Sequence, residues 1–120
     1  MADSNEAVRA LLSSCGAEVR PATSVAQALE ILGEWTPHLL VSDIGMPGED
    51  GYALIAKVRA LEDGSKRIPA IALTAHASVE DRVRVLSAGF QMHVPKPVEP
   101  AELLAAVASI RHRIWAHNDS

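Results

Sequence analysis

Apolar positions along the chain recur with two different periods, and the switches between them mark nine segments. Asp3 and Glu6 have the spacing of a capping box, and Val8, Leu11 and Leu12 fall on one face, so a helix is predicted from about Ser4 to Ser14, closed by Gly16. Ala17–Ala22 alternates weakly and reads as a short edge strand ending at Pro21. Ser24 and Gln27 form a second capping pair ahead of Val25, Ala28, Leu29 and Leu32, a helix stopped by Gly33. Leu39-Leu40-Val41 is continuously apolar before Ser42-Asp43, as expected of a strand buried on both faces with a carboxylate at its carboxyl end. Gly45, Pro47 and Gly48 then break the chain sharply, and the turn runs on through Asp50-Gly51.

The second half repeats the alternation. Leu54, Ile55, Val58 and Leu61 mark a helix, and Ile68 to Thr74 a strand that again ends in a polar side chain. Ser78 precedes a helix bearing Val79, Val83 and Leu86 that ends at Gly89. Met92-His93-Val94 is a brief strand before Pro95-Lys96-Pro97, and Pro100 opens a last helix bearing Leu103, Leu104, Val107 and Ile110. Residues 112–120 are polar enough to fray. Strands that alternate with helices imply an α/β fold: a parallel sheet with helices on both faces and right-handed crossovers, here with four strands.

Composition narrows the function. A chain of 120 residues, 48% of them apolar, matches one domain spanning 1–120. The net charge of -4 and the absence of a Lys/Arg cluster argue against nucleic acid or an anionic membrane as partner. Cys15 is the single cysteine, which excludes an internal disulfide, and no apolar run is long enough to span a bilayer, so a cytoplasmic location is expected. The five histidines lack metal-ligand spacing, and neither a nucleophile elbow nor a Gly-rich phosphate loop is present.

In an open parallel sheet the carboxyl ends of the strands share one edge, where ligands and chemistry are found. That logic gathers Asp43, Thr74 and Lys96. Singly, each has a plain structural role, as a loop cap, a helix-side cap and a solvated lysine. Together they form a candidate phosphoryl site, in which the carboxylate attacks phosphorus while the hydroxyl and the ammonium hold the phosphoryl oxygens.

The chain resembles the receiver domain of two-component response regulators over nearly its whole length. The resemblance is carried by Ser42-Asp43-Ile44-Gly45-Met46-Pro47, Asp50-Gly51, Ala72-Leu73-Thr74-Ala75, Ala88-Gly89-Phe90 and Lys96-Pro97, in that order. It implies a flavodoxin-like fold with Asp43 as phosphoacceptor, Thr74 as the switch hydroxyl and Lys96 as the lysine that contacts the phosphoryl group. It places His93 where the family often has an aromatic switch residue, gives structural roles to Pro47, Gly51 and Pro97, and implies a cis peptide bond at Lys96–Pro97.

One part of that pattern is not found. The family begins with an apolar strand ending in two adjacent acids that hold Mg²⁺, whereas only Met1 and Ala2 precede the first helix here. Either the sequence starts downstream of that strand or the domain has lost it. Mg²⁺ held by Asp43 and the Gly45 carbonyl alone would be bound weakly. The leading expectation is a receiver that accepts phosphate on Asp43 from a histidine kinase or phosphotransfer domain. The rival is a degenerate receiver that recognises its partner without phosphorylation. An aspartyl-phosphate hydrolase would want a second carboxylate just after the nucleophile, where Gly45 stands. Since the chain ends soon after its last helix, it reads as a single-domain regulator or as a piece of a larger protein such as a hybrid histidine kinase. An unpaired sheet edge also predicts a homodimer, through that edge or through a swapped element.

Overall fold

The structure is a computed structural model that describes residues 2–44, 50–61, 68–75 and 78–118, with the backbone alone for 2–7 and 111–118. Gly45 and Pro47, singled out in the sequence, lie outside the described residues, as does His76, one of the five histidines. Eight elements follow one another: α1 (Ala2–Ser14), α2 (Val25–Glu34), β1 (Leu40–Asp43), α3 (Gly51–Leu61), β2 (Ala70–Thr74), α4 (Val79–Ala88), β3 (Met92–Pro95) and α5 (Pro100–Asn118).

Local signals account for most of the boundaries. α1 starts at Ala2, ahead of the expected cap at Asp3. At its other end Gly16 adopts φ +89, and Gly16 N–H and Ala17 N–H donate to the carbonyls of Ser13 and Leu12 at 3.0 and 3.2 Å. A residue with a Cβ is strained in that left-handed conformation. Ser24 Oγ accepts from Gln27 N–H at 3.1 Å, and Gln27 Oε1 in turn accepts from Thr23 N–H at 2.7 Å, so the capping pair is real but reaches one residue further back than Ser24. Ser78 Oγ accepts from Asp81 N–H at 3.1 Å, and α4 ends on Gly89 at φ +124. α5 runs on through Asn118, past the point where polarity predicts fraying.

The three strands form one parallel sheet in the order β1-β2-β3. The expectation of a fourth strand at Ala17–Ala22 is corrected: that stretch is irregular and joins no ladder. A strand exists only by pairing, and in the expected strand order β1 is not the neighbour of this segment. Its side chains are taken up locally instead. Arg20 pairs with Glu18 at 3.2 Å and stacks over Trp35 at 4.7 Å, while Pro21 offers no donor.

Helices cover both faces. On one, Val8 of α1 and Leu103, Ala106 and Ile110 of α5 bury Ile71, Leu73 and Val94. On the other, Ile55 of α3 and Val85 of α4 pack with Ala70, Ala72 and Phe90, and Val25 and Ala28 of α2 pack with Leu54 and Val58 of α3. β2 is buried along its whole length, as its unbroken apolar run requires. Among the described residues no helix is long and apolar enough to cross a membrane.

Candidate functional site

Strand register assembles the site. Asp43 pairs with Leu73 across β1 and β2, and Thr74 with Pro95 across β2 and β3, so the three carboxyl ends finish level with one another. The Ile44 N–H extends the ladder to the Leu73 carbonyl at 3.0 Å, and the Lys96 N–H extends it to the Thr74 carbonyl at 2.8 Å. Each site residue is therefore held by main-chain bonds at or beside it rather than by a loose loop.

The Lys96 ammonium forms an ion pair and hydrogen bond with Asp43 Oδ1. Both side chains stay partly open to solvent, at 25% and 30% exposure, which leaves the carboxylate reachable from outside. Thr74 is almost fully buried at 5%. Beneath the site Ser42 is buried, and its hydroxyl donates to the Asp43 carbonyl at 3.2 Å. The Lys96–Pro97 peptide bond is cis, in keeping with the sequence resemblance.

Gly51 fixes how closely α3 approaches β1. Its N–H donates to the Ile44 carbonyl at 2.9 Å, and Asp50 Oδ1 caps the helix by accepting from Ala53 N–H at 3.0 Å. His93 pairs in register with Ala72, whose side chain lies in the cluster under α3 and α4, so His93 belongs to that face of the sheet and not to the carboxyl-end cluster. His38 is exposed and precedes β1, at the end of that strand away from Asp43; the side chains of His112 and His117 lie outside the described residues. Among the described residues no three His, Cys, Asp or Glu side chains gather into a metal-binding group.

A profile of the response regulator receiver domain matches residues 2–108. The chain belongs to that family. It is therefore a receiver domain of two-component signalling. It is 45% identical over 105 residues to an uncharacterised 14.6 kDa protein of Leptolyngbya boryana, covering 88% of this chain and 79% of that one. It is 33% identical to the transcriptional regulatory protein PhoP of Escherichia coli O157:H7 over 85% of the chain, which spans 44% of PhoP. A hybrid signal transduction histidine kinase of Dictyostelium discoideum is 40% identical over 77 residues, which amount to 5% of that protein. Among solved structures, a response regulator from Chloroflexus aurantiacus superposes with a TM-score of 0.82 at 33% identity, covering 91% of this receiver and 88% of the other chain. The chemotaxis protein CheY4 of Vibrio cholerae, at 24% identity and a TM-score of 0.83, shares the fold.

The sequence did not point to Arg59, whose guanidinium binds the carbonyls of Ile68 and Gly89 at the opposite end of the sheet from Asp43. A basic residue in the last turn of the third helix was the only local sign of it.

Proposed function

We propose that this receiver is a phosphoacceptor, in which Asp43 takes a phosphoryl group from the phosphohistidine of a histidine kinase or phosphotransfer domain. The observation that carries the reading is the Asp43–Lys96 ion pair, partly open to solvent at the carboxyl edge of the sheet, with Thr74 at the next strand end. An Asp43 carboxylate oxygen attacks phosphorus, and its O–P bond forms as the donor's N–P bond breaks. The electron pair of that bond stays on the imidazole nitrogen, which takes a proton from water. Carboxylate and phosphoryl group are both anionic, so approach is opposed by repulsion, which the Lys96 ammonium offsets without having to move far. The Thr74 hydroxyl then holds a phosphoryl oxygen, and His93 carries the change toward α4, where partners would read it.

Mg²⁺, which receiver domains generally bind at this place, would be held here by Asp43 and the Gly45 carbonyl. The ion takes one or two carboxylates together with phosphate oxygens and waters. A single carboxylate among the described residues is a sparse donor set for it, and no step is assigned to the ion. A second reading, a receiver that binds its partner without being phosphorylated, is favoured by that same sparseness.

Incubation with acetyl phosphate and Mg²⁺, followed by intact mass measurement, separates the two. Addition of one phosphoryl group to the wild type and none to Asp43→Asn is the expected result. Phosphorylation that survives in Asp43→Asn overturns the assignment. No phosphorylation of either protein, with kinase binding intact, favours the second reading.

A further inference from the structure

α4 is held on the sheet by little of its own surface. Val85 is the one buried residue of α4, against Gly51, Leu54, Ile55 and Val58 in α3, while Val79, Val83 and Leu86 of α4 face solvent. A helix with so small a share of the core shifts at low cost, so contacts at its margin decide where it rests.

One such contact reaches α3. The guanidinium carbon of Arg84 stands 4.3 Å from the centre of the Tyr52 ring, within the range where a cation is drawn to an aromatic face. Glu80 lies four residues earlier on α4, the spacing at which Glu and Arg ordinarily pair on a helix. Among the described residues, however, Arg84 makes no ion pair with Glu80 or with any other carboxylate. The guanidinium lies on the ring instead.

Tyr52 is in turn tied to the end of β1. Its neighbour Gly51 donates its N–H to the Ile44 carbonyl at 2.9 Å and lies so close to Asp43 that an added Cβ would meet the Asp43 carbonyl oxygen at 2.6 Å. Tyr52 and Ile44 also pack against one buried cluster, to which Val85 of α4 belongs. Contacts therefore run from Arg84 through Tyr52 to Gly51, Ile44 and the main chain of Asp43.

We propose that the Arg84–Tyr52 stack couples the position of α4 to the end of β1 that carries Asp43, with Arg84 and Tyr52 as positioning residues. This path is separate from Thr74 and His93. By reciprocity, whatever draws α4 from its place loosens the main chain at Asp43, and a disturbed strand end loosens α4. What the link transmits rests on Asp43 being a phosphoacceptor; the link itself does not.

Amide hydrogen exchange by NMR on the unphosphorylated chain tests the link by disturbing one end and reading the other. Arg84→Met should speed the amides of Leu86 and Ala88 in α4 and, beyond that helix, those of Ile44 and Gly51, each by about threefold, as expected for loss of a surface cation–π contact. The amides of Ala72 and Val94, within the β2–β3 ladder, should keep their wild-type rates. Tyr52→Leu should reproduce this pattern, and Tyr52→Phe, which keeps the ring, should match the wild type throughout. Faster exchange confined to α4 overturns the proposal, because the stack then only holds the helix in place. An equal rise at all of these amides marks a general loss of stability and rejects it too, as does an unchanged rate at Ile44 and Gly51 in both Arg84→Met and Tyr52→Leu.

Discussion

A Cβ at Gly51 would stand 2.6 Å from the carbonyl oxygen of Asp43 and 3.0 Å from the Cα of Ile44, so the first residue of α3 lies against the main chain of Asp43 itself. Both neighbours are backbone atoms of a paired strand and cannot swing aside. Overpacking of this kind costs about 1–3 kcal/mol, against a gain in helix propensity of about 1 kcal/mol for replacing glycine. The clash should win. Gly51→Ala is expected to lower the unfolding free energy, whereas Gly33→Ala in α2, with nothing within 4 Å of its added methyl, should leave it unchanged or raise it by up to about 1 kcal/mol. Urea titration of the two variants gives both signs; a Gly51→Ala protein as stable as Gly33→Ala would show that α3 can retreat from β1.

Lys96→Met should separate chemistry from stability. The Asp43–Lys96 pair keeps a quarter or more of each side chain in solvent, and ion pairs so exposed contribute about 1 kcal/mol or less. The same ammonium faces concentrated negative charge once a phosphoryl group approaches. Labelling of Asp43 by acetyl phosphate should slow by about tenfold or more, equivalent to about 1.4 kcal/mol of barrier, while the urea midpoint moves little. A large drop in stability with unchanged labelling would make Lys96 a structural residue.

What could be read from the sequence was whatever depends on near neighbours. Ser24 with Gln27, and Ser78 at the start of α4, are caps decided within three residues, and the apolar run of β2 follows from burial on both faces, whereas in β1, read the same way, only Ser42 is buried. The meeting of Asp43, Thr74 and Lys96 was legible too, because parallel strands joined by helices leave their carboxyl ends no choice of edge. Ala17–Ala22 was misread because alternation describes a segment while a strand needs a partner, and the partner is not written in the segment. Arg59 was missed for a related reason: its acceptors are Ile68, Gly89 and Gln91, brought to it only by the fold.

Thr74 is expected to act through its hydroxyl. It ends a buried strand, at 5% exposure, so shape matters as well as polarity, and two substitutions are needed to tell them apart. Thr74→Ser keeps the hydroxyl and loses a methyl; Thr74→Val keeps the shape and loses the hydroxyl. In NMR spectra recorded before and after phosphorylation, Thr74→Ser should retain the shifts of α4 and His93 resonances and Thr74→Val should lose most of them, with Asp43 labelled in both. Matching behaviour of the two variants would remove the hydroxyl from the switch.

At the amino end of the sheet, Arg59 ties three elements together. Its Nη1 donates to the Ile68 carbonyl at 2.7 Å, and its Nε and Nη2 to the Gly89 carbonyl at 3.2 and 2.7 Å. Nη2 also reaches Gln91 Oε1 at 3.2 Å, an oxygen that accepts from Ala70 N–H at 2.6 Å. The guanidinium thus joins the end of α3 to the chain entering β2 and to the chain between α4 and β3. Bonds from a charged donor are worth about 1.5–3 kcal/mol, and a part-buried carbonyl left without one costs about 1 kcal/mol or more. Arg59→Met should therefore destabilise by about 2–3 kcal/mol. Arg59→Lys should recover little of this, because a single ammonium cannot span carbonyls that the planar fork reaches from separate nitrogens. Since Arg59 lies at the end of the sheet away from Asp43, labelling by acetyl phosphate at low temperature should match the wild type in both variants. Urea unfolding followed by circular dichroism measures the loss; a change under about 0.5 kcal/mol, the range of ordinary surface substitutions, would mean that water replaces the guanidinium without penalty.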